Sequence, residues 1–262
     1  MIDCLCHLDS EKYNNPADAL LSLYQQAQTV EVVKIFLVNM PGQNFGNINP
    51  FENEQIFDLL ESFKYFYEFF PGINPLDKNA LQTIQKYKER GAIGIKLHPR
   101  LHSYNIESPE CLEIAKFAGT LEMPVIVCGF MDGIALKLGN LPESFGRFAD
   151  KCPETKIMMA HAGGHKIIDS LMVMKSCPNL YLDLSFTLLY YRNCPAIMEE
   201  IKYAIKSSKA KRIMWGTDYP DRPYAETCEL SIKEFRKMDL SLEIESEILV
   251  SNPYEFIKTT KT

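Results

Sequence analysis

Eight short apolar runs, each followed by a stretch of helical periodicity, constrain the fold of this chain more than any other feature. The runs are Ile2–Leu5, Val32–Val38, Tyr65–Ile73, Ala92–Leu97, Pro124–Cys128, Lys156–Ala160, Leu180–Leu184 and Ile213–Trp215. Most are short and dense in aliphatic or aromatic residues, the composition of strands buried on both faces. The segments between them carry helix-start signals. Asn15–Pro16 and Ser108–Pro109 each set a capping side chain before a proline at the first helical position. Ala17, Leu20, Leu21 and Tyr24 then fall on one face of the first helix. Further helices are expected over 53–64, 79–90, 145–152, 166–175, 195–207 and 225–236, with a last one starting near Asn252 and Pro253. This alternation predicts parallel βαβ units. Eight of them in 262 residues fit an α/β fold closed into a (β/α)8 TIM barrel, read as one domain over 1–262. A doubly wound open sheet is the alternative, but no G-x-G-x-x-G follows the first strand. Asn39–Pro50, rich in Gly, Asn and Pro and carrying Phe45, is expected to be a long loop able to close over a pocket.

Charge and composition narrow the partners. A net charge of −6 with no basic run argues against nucleic acid. No apolar stretch approaches the ~20 residues that span a bilayer, so no membrane partner is expected. The opening M-I-D-C has neither a basic nor an apolar leader segment, and the expected compartment is the cytoplasm. The eight cysteines form no C-x-x-C pair and read as reduced thiols, mostly packed as small apolar residues. Cys4 and Cys6 alternate on one strand and are expected to share an environment. The oligomeric state is left open, a homodimer included.

The chemistry-bearing residues gather at strand ends. In a barrel all strand C-termini open on one face, so residues distant in sequence meet there. By strand count the first run delivers His7, the fourth Lys96 and His98, the fifth Cys128, the sixth His161 with His165 just behind, and the eighth Asp218. The stretch Arg212–Asp221 ends a buried run at Gly216 and sets Asp218 just beyond it. Imidazole, thiolate and carboxylate together suit a divalent transition metal, zinc above all, with water in an open position. Asp218 could take the proton of that water and return it to the leaving group, while His161 polarises the substrate or ligates directly. Arg100, Arg192 and Arg222 follow the fourth, seventh and eighth strands, and converging guanidinium groups would select a small anionic substrate. Phe186, Tyr190 and Tyr191 could stack on a ring. Each group also has a structural alternative. His7 could be a core histidine bonded to a carbonyl, Cys128 a buried thiol, Lys96 the partner of a carboxylate inside the barrel, and His102 and His165 surface or supporting groups.

These segments together resemble the amidohydrolase superfamily, in its amidohydrolase-2 branch. MIDCLCHLD at 1–9 is similar to that branch's opening I-D-x-H-x-H, GIKLHPR at 94–100 to a G-x-K-L-H-P segment, and PVIVCG at 124–129 to a strand that usually ends in histidine. MAHAGG at 159–164, WGTDYP at 215–220 and the closing SNPYEFI resemble further segments. The resemblance implies a barrel hydrolase or non-oxidative decarboxylase with one divalent metal held by His7, His98, His161 and Asp218. Lys96, Arg100, Cys128, Arg192 and Arg222 would then face the substrate. Two positions depart from it: Leu5 stands at the first histidine of the opening and Cys128 at the fifth-strand histidine. Leucine cannot ligate a metal. The expectation is an amidohydrolase-type enzyme acting on a small anionic or cyclic amide, ester or lactone. The alternatives are a metal-free site of the pyrone-dicarboxylate lactonase kind, with Asp218 as general base, a decarboxylase, or a non-catalytic binding barrel.

Overall fold

A computed structural model describes residues 1–44, 47–63 and 65–259. The eight expected strands are all present, as β1 (Ile2–Cys6), β2 (Lys34–Asn39), β3 (Tyr67–Ile73), β4 (Ile95–Leu97), β5 (Val125–Cys128), β6 (Ile157–Ala160), β7 (Leu180–Asp183) and β8 (Ile213–Met214). Each pairs in parallel with its neighbour in chain order. The segment following β8 closes the ring onto β1. The Cys4 amide donates to the Trp215 carbonyl at 3.0 Å, Asp218 to Leu5 at 2.8 Å and His7 to Tyr219 at 2.9 Å. A helix follows every strand, and these helices bury their apolar faces on the outside of the barrel. The molecule is a (β/α)8 TIM barrel. The expected caps form: Asn15 Oδ1 accepts from the Asp18 amide at 2.9 Å and Ser108 Oγ from the Cys111 amide at 3.3 Å.

Strand alternation sorts the side chains into an inner and an outer core. Ile2, Cys4, Phe36, Val38, Phe70, Ile126, Met158, Ala160, Tyr181 and Met214 fill the interior. The helix Asn252–Ile257 plugs one end of it with Phe256, whose ring lies 6.3 Å from Phe36, 6.4 Å from Phe70 and 5.1 Å from Tyr181. That plug sits at the N-terminal ends of the strands, so the open mouth is the opposite, C-terminal one.

Three expectations are corrected. Cys4 and Cys6 do not share an environment: the register shifts between Asp3 and Cys6, so Cys4 packs inside the barrel and Cys6 outside. The same irregularity turns Leu5 into the interior. The stretch 39–50 is not a plain loop. It contains an antiparallel hairpin, Gly42–Asn44 with Asn47–Asn49, while Phe45 lies outside the described residues. Its base is fixed, because Asn39 Nδ2 donates to the Phe51 carbonyl at 2.8 Å and Asn39 Oδ1 accepts from Asn49 Nδ2 at 2.8 Å. Short helices at Pro99–His102, Gly133–Leu138 and Thr187–Tyr190 were not expected, since four to six residues carry too little periodicity to read. All eight cysteines are free thiols. Among the described residues no helix is long and apolar enough to cross a membrane.

Candidate active site

At the C-terminal mouth a cavity of about 390 Å³ is lined by His7, Lys96, His98, Arg100, His161 and Asp218, with Phe130 and Phe186 on one wall. Six of the residues singled out in the sequence thus meet in one place, delivered by β1, β4, β6 and β8. A larger cavity, about 620 Å³, lies at the other end of the barrel beside Phe256 and Lys156 and shares none of these groups. The chemistry therefore sits in the smaller one. Arg192 and Arg222 are not in its lining. Arg222 instead pairs with Asp221 at 3.4 Å and borders a neighbouring crevice. Cys128 lies just behind the lining, its Sγ taking an N–H from Arg100 Nη1 at 3.6 Å. His102 turns into a side cavity with Asn53 and Tyr87, and His165 is exposed.

The backbone presenting these groups is strained. His161, Phe186 and Asp218 all adopt left-handed conformations, with φ of 66°, 59° and 55°. Such residues cost about 1–3 kcal/mol each and persist where the surroundings over-determine them. Around Asp218 the surroundings are specific. The buried Asp3 carboxylate accepts from the Thr217 amide at 2.8 Å, the Thr217 hydroxyl at 2.7 Å and the Leu5 amide at 3.2 Å. Gly216 makes this approach feasible: a Cβ there would lie 2.6 Å from the Leu5 nitrogen. Around His161, Nδ1 lies 3.1 Å from the Ser185 carbonyl oxygen and 3.2 Å from the Ser185 hydroxyl. A carbonyl only accepts, so Nδ1 carries a proton. Asp183 holds this corner, accepting from the His161 amide at 3.4 Å, from the Ser185 amide at 3.1 Å and from the Ser185 hydroxyl.

Opposite charges are concentrated in the mouth. His7 Nε2 stands 3.6 Å from Asp218 Oδ1. Burial alone would push the Asp218 carboxyl up, but His161, His7 and Lys96 override it and hold it well below the usual carboxylate range. Burial would lower the His161 imidazole, yet Asp218 and Cys128 raise it to about 9. Cys128 follows the same logic: burial opposes its thiolate, and His98 and His161 bring it well below the ordinary thiol value. Lys96 is lowered by burial, with Cys128, Asp218 and Asp183 partly restoring its charge. Arg100 Nε donates to Asp132 Oδ2 at 2.9 Å and its guanidinium lies 5.5 Å from the Phe130 ring centroid. The aromatic wall continues behind Phe186, with Tyr190 stacked on it at 4.9 Å and Tyr191 set edge-on to Tyr190.

Whether these donors suit a metal is decided by their lone pairs. The Leu101 amide donates to His98 Nδ1 at 3.2 Å, which leaves the proton on Nε2 and no lone pair for a cation. The Cys128 sulfur is engaged by a guanidinium, Leu5 fills the interior position of the expected first ligand, and the Lys96 ammonium stands among the remaining donors. Among the described residues no group of three or more His, Cys, Asp or Glu side chains is arranged to hold a metal ion. As folded, this donor set does not suit a dication.

Asp183, Ser185, Asp3 and Phe130 escaped the sequence reading. Asp183 had a signal. In Leu180–Asp183 the inward positions are Tyr181 and Asp183, so a carboxylate inside the barrel mouth follows from alternation once Tyr181 is placed. Phe130 had none, because its loop carries no period.

No curated protein sequence matches the chain. Solved structures do. An uncharacterised TIM-barrel protein from Bordetella bronchiseptica superimposes with a TM-score of 0.78 at 17% identity, covering 98% of each chain. A probable 2-pyrone-4,6-dicarboxylic acid hydrolase from Acinetobacter baumannii, with citric acid bound, gives 0.70 at 15% identity, again covering 98% of each. An amidohydrolase from Burkholderia multivorans with zinc bound gives 0.71 at 10% identity, covering 98% of this chain and 99% of that one. At these identities the likeness establishes the fold alone. The family follows from the sequence itself: residues 2–258 match the amidohydrolase profile, and the chain belongs to the amidohydrolase family, in its amidohydrolase-2 branch.

Proposed function

We propose that this chain hydrolyses a small anionic ester, lactone or amide, with Asp218 as the general base and the His161 imidazolium polarising the scissile carbonyl. The observation that carries this reading is the Asp218 carboxylate, kept ionised at the barrel mouth, 3.6 Å from His7 and in one cavity with His161. Asp218 takes a proton from water as the water oxygen bonds to the carbonyl carbon. The carbonyl π electrons move to oxygen, where the protonated His161 stabilises them. When the tetrahedral intermediate collapses, the carboxyl of Asp218 returns its proton to the departing alcohol or amine. His7, beside Asp218, orients the carboxylate.

Two features support an anionic, compact substrate. Lys96 and Arg100 both line the cavity, and its volume of about 390 Å³ admits a small ring or a short chain. The Phe130–Phe186 wall supplies an apolar face for a planar group. The relative from Acinetobacter baumannii was found with citric acid bound, in keeping with a polyanion. The test is hydrolysis of a panel of carboxylated lactones, esters and amides by wild type and Asp218→Asn. The variant is expected to lose about 10²–10⁴-fold in kcat/KM while melting as wild type does. Retained hydrolysis in the variant overturns the assignment. Carbon dioxide release without hydrolysis would identify a decarboxylase instead.

A further inference from the structure

We propose that the Lys96 ammonium is the resident cation of this mouth, standing where a dication would otherwise supply positive charge. Lys96 sits at the centre of β4, only 1% exposed, yet it lines the cavity. Its position is interior: in a three-residue strand flanked by Ile95 and Leu97, both packed in the outer core, only the middle side chain turns into the barrel. Around it stand the carboxyl of Asp183, fully buried at the end of β7, the partly exposed Asp218 carboxylate in the cavity lining, and the buried Cys128 sulfur. Carboxylates in such a place require a counter-charge. Lys96 provides it from within the chain.

Two of the groups that could bind a metal are committed elsewhere, consistently with this. His98 spends its lone pair on the Leu101 amide, and Cys128 accepts from Arg100. Leu5, turned inward by the irregularity in β1, brings a hydrocarbon to the position from which the family's first histidine would reach. A dication entering this mouth would meet the Lys96 ammonium and the Arg100 guanidinium, with two of the donors already engaged. Resting on the hydrolase reading, one further role follows. The Lys96 N–H donates to the carbonyl oxygen beside His161, so the charge that develops in the tetrahedral intermediate is shared between two protein cations. No proton leaves Lys96 in that step.

Zinc competition against a chromogenic chelator tests the charge assignment without any turnover. Wild type is expected to hold no stoichiometric zinc. Lys96→Met, which keeps the length of the side chain and removes the charge, is expected to bind zinc at least about tenfold more tightly, since the anionic groups lose their counter-ion. Lys96→Arg, which keeps the charge, should behave as wild type. Stoichiometric, tight zinc in wild type overturns the proposal by itself, whether or not any variant folds. Equal zinc affinity in wild type and Lys96→Met overturns it as well. The oxyanion role is read separately. On any substrate that wild type turns over, Lys96→Met should lower kcat and Lys96→Arg should rescue part of it. A loss confined to KM would assign Lys96 to substrate binding alone. Failure of the panel hydrolysis would remove the reaction but leave the zinc result standing.

Discussion

Asp3 makes the most quantitative prediction. Its carboxyl is completely buried, accepts three hydrogen bonds, and is raised by burial from an ordinary 3.8 to about 7. The native state therefore keeps a proton between about pH 4 and pH 7 that the unfolded chain gives up. A raised folded-state value contributes stability that is fully present below 3.8 and is lost as pH rises through about 7. At ~1.4 kcal/mol per tenfold, the loss across that window is about 4 kcal/mol. Asp3→Asn removes the titration. The amide oxygen can still accept from the Leu5 and Thr217 amides, but its NH2 group cannot accept the Thr217 hydroxyl proton that Asp3 Oδ2 takes at 2.7 Å. That mismatch costs about 1 kcal/mol. The variant is thus expected to be about 1 kcal/mol less stable than wild type near pH 4 and about 3 kcal/mol more stable above pH 7. Urea unfolding of both proteins from pH 4.5 to 8.5 measures the difference, and other titrating groups, Asp183 among them, largely cancel in the comparison. A difference that does not change with pH would refute the reasoning. So would a wild type that gains stability, relative to the variant, as pH rises from 5 to 7.

Two further outcomes follow from the same geometry. Gly216→Ala drives a methyl group against the Leu5 nitrogen and within 3.1 Å of Asp3 Oδ1. It is expected to cost about 1–3 kcal/mol and to depress kcat by displacing Asp218, both measured on one preparation by melting and initial rates. For the reaction itself, the His161 imidazolium is needed and persists up to about pH 9. Hydrolysis should fall as pH rises through about 9, and His161→Gln should be slow and lack that alkaline limb; an identical limb in the variant would assign it to another group.

The architecture was legible because its signal is local and repeated. Short apolar runs alternate with capped helices, and each unit can be read without its neighbours. Strand order then fixes where strand ends go, which is why His7, Lys96, His98, Arg100, His161 and Asp218 could be brought to one mouth from sequence. What escaped depends on geometry that a sequence does not carry. The register shift in β1 separates Cys4 from Cys6 and sends Leu5 inward, against simple alternation. Arg192 and Arg222 follow their strands as expected but lie on loops whose path is set by packing, and they end outside the cavity lining. The set of possible metal donors was read from residue types. The lone pairs of His98 and the guanidinium on Cys128 become visible only when partners are placed.

The central claim is that protein groups alone, Asp218 with His161 and Lys96, activate water and the carbonyl in this mouth. It is tested most directly by measuring hydrolysis of a carboxylated lactone or ester after exhaustive chelation, with and without added zinc. The account predicts an unchanged rate in both conditions. Loss of activity on chelation, with recovery on stoichiometric zinc, would contradict it.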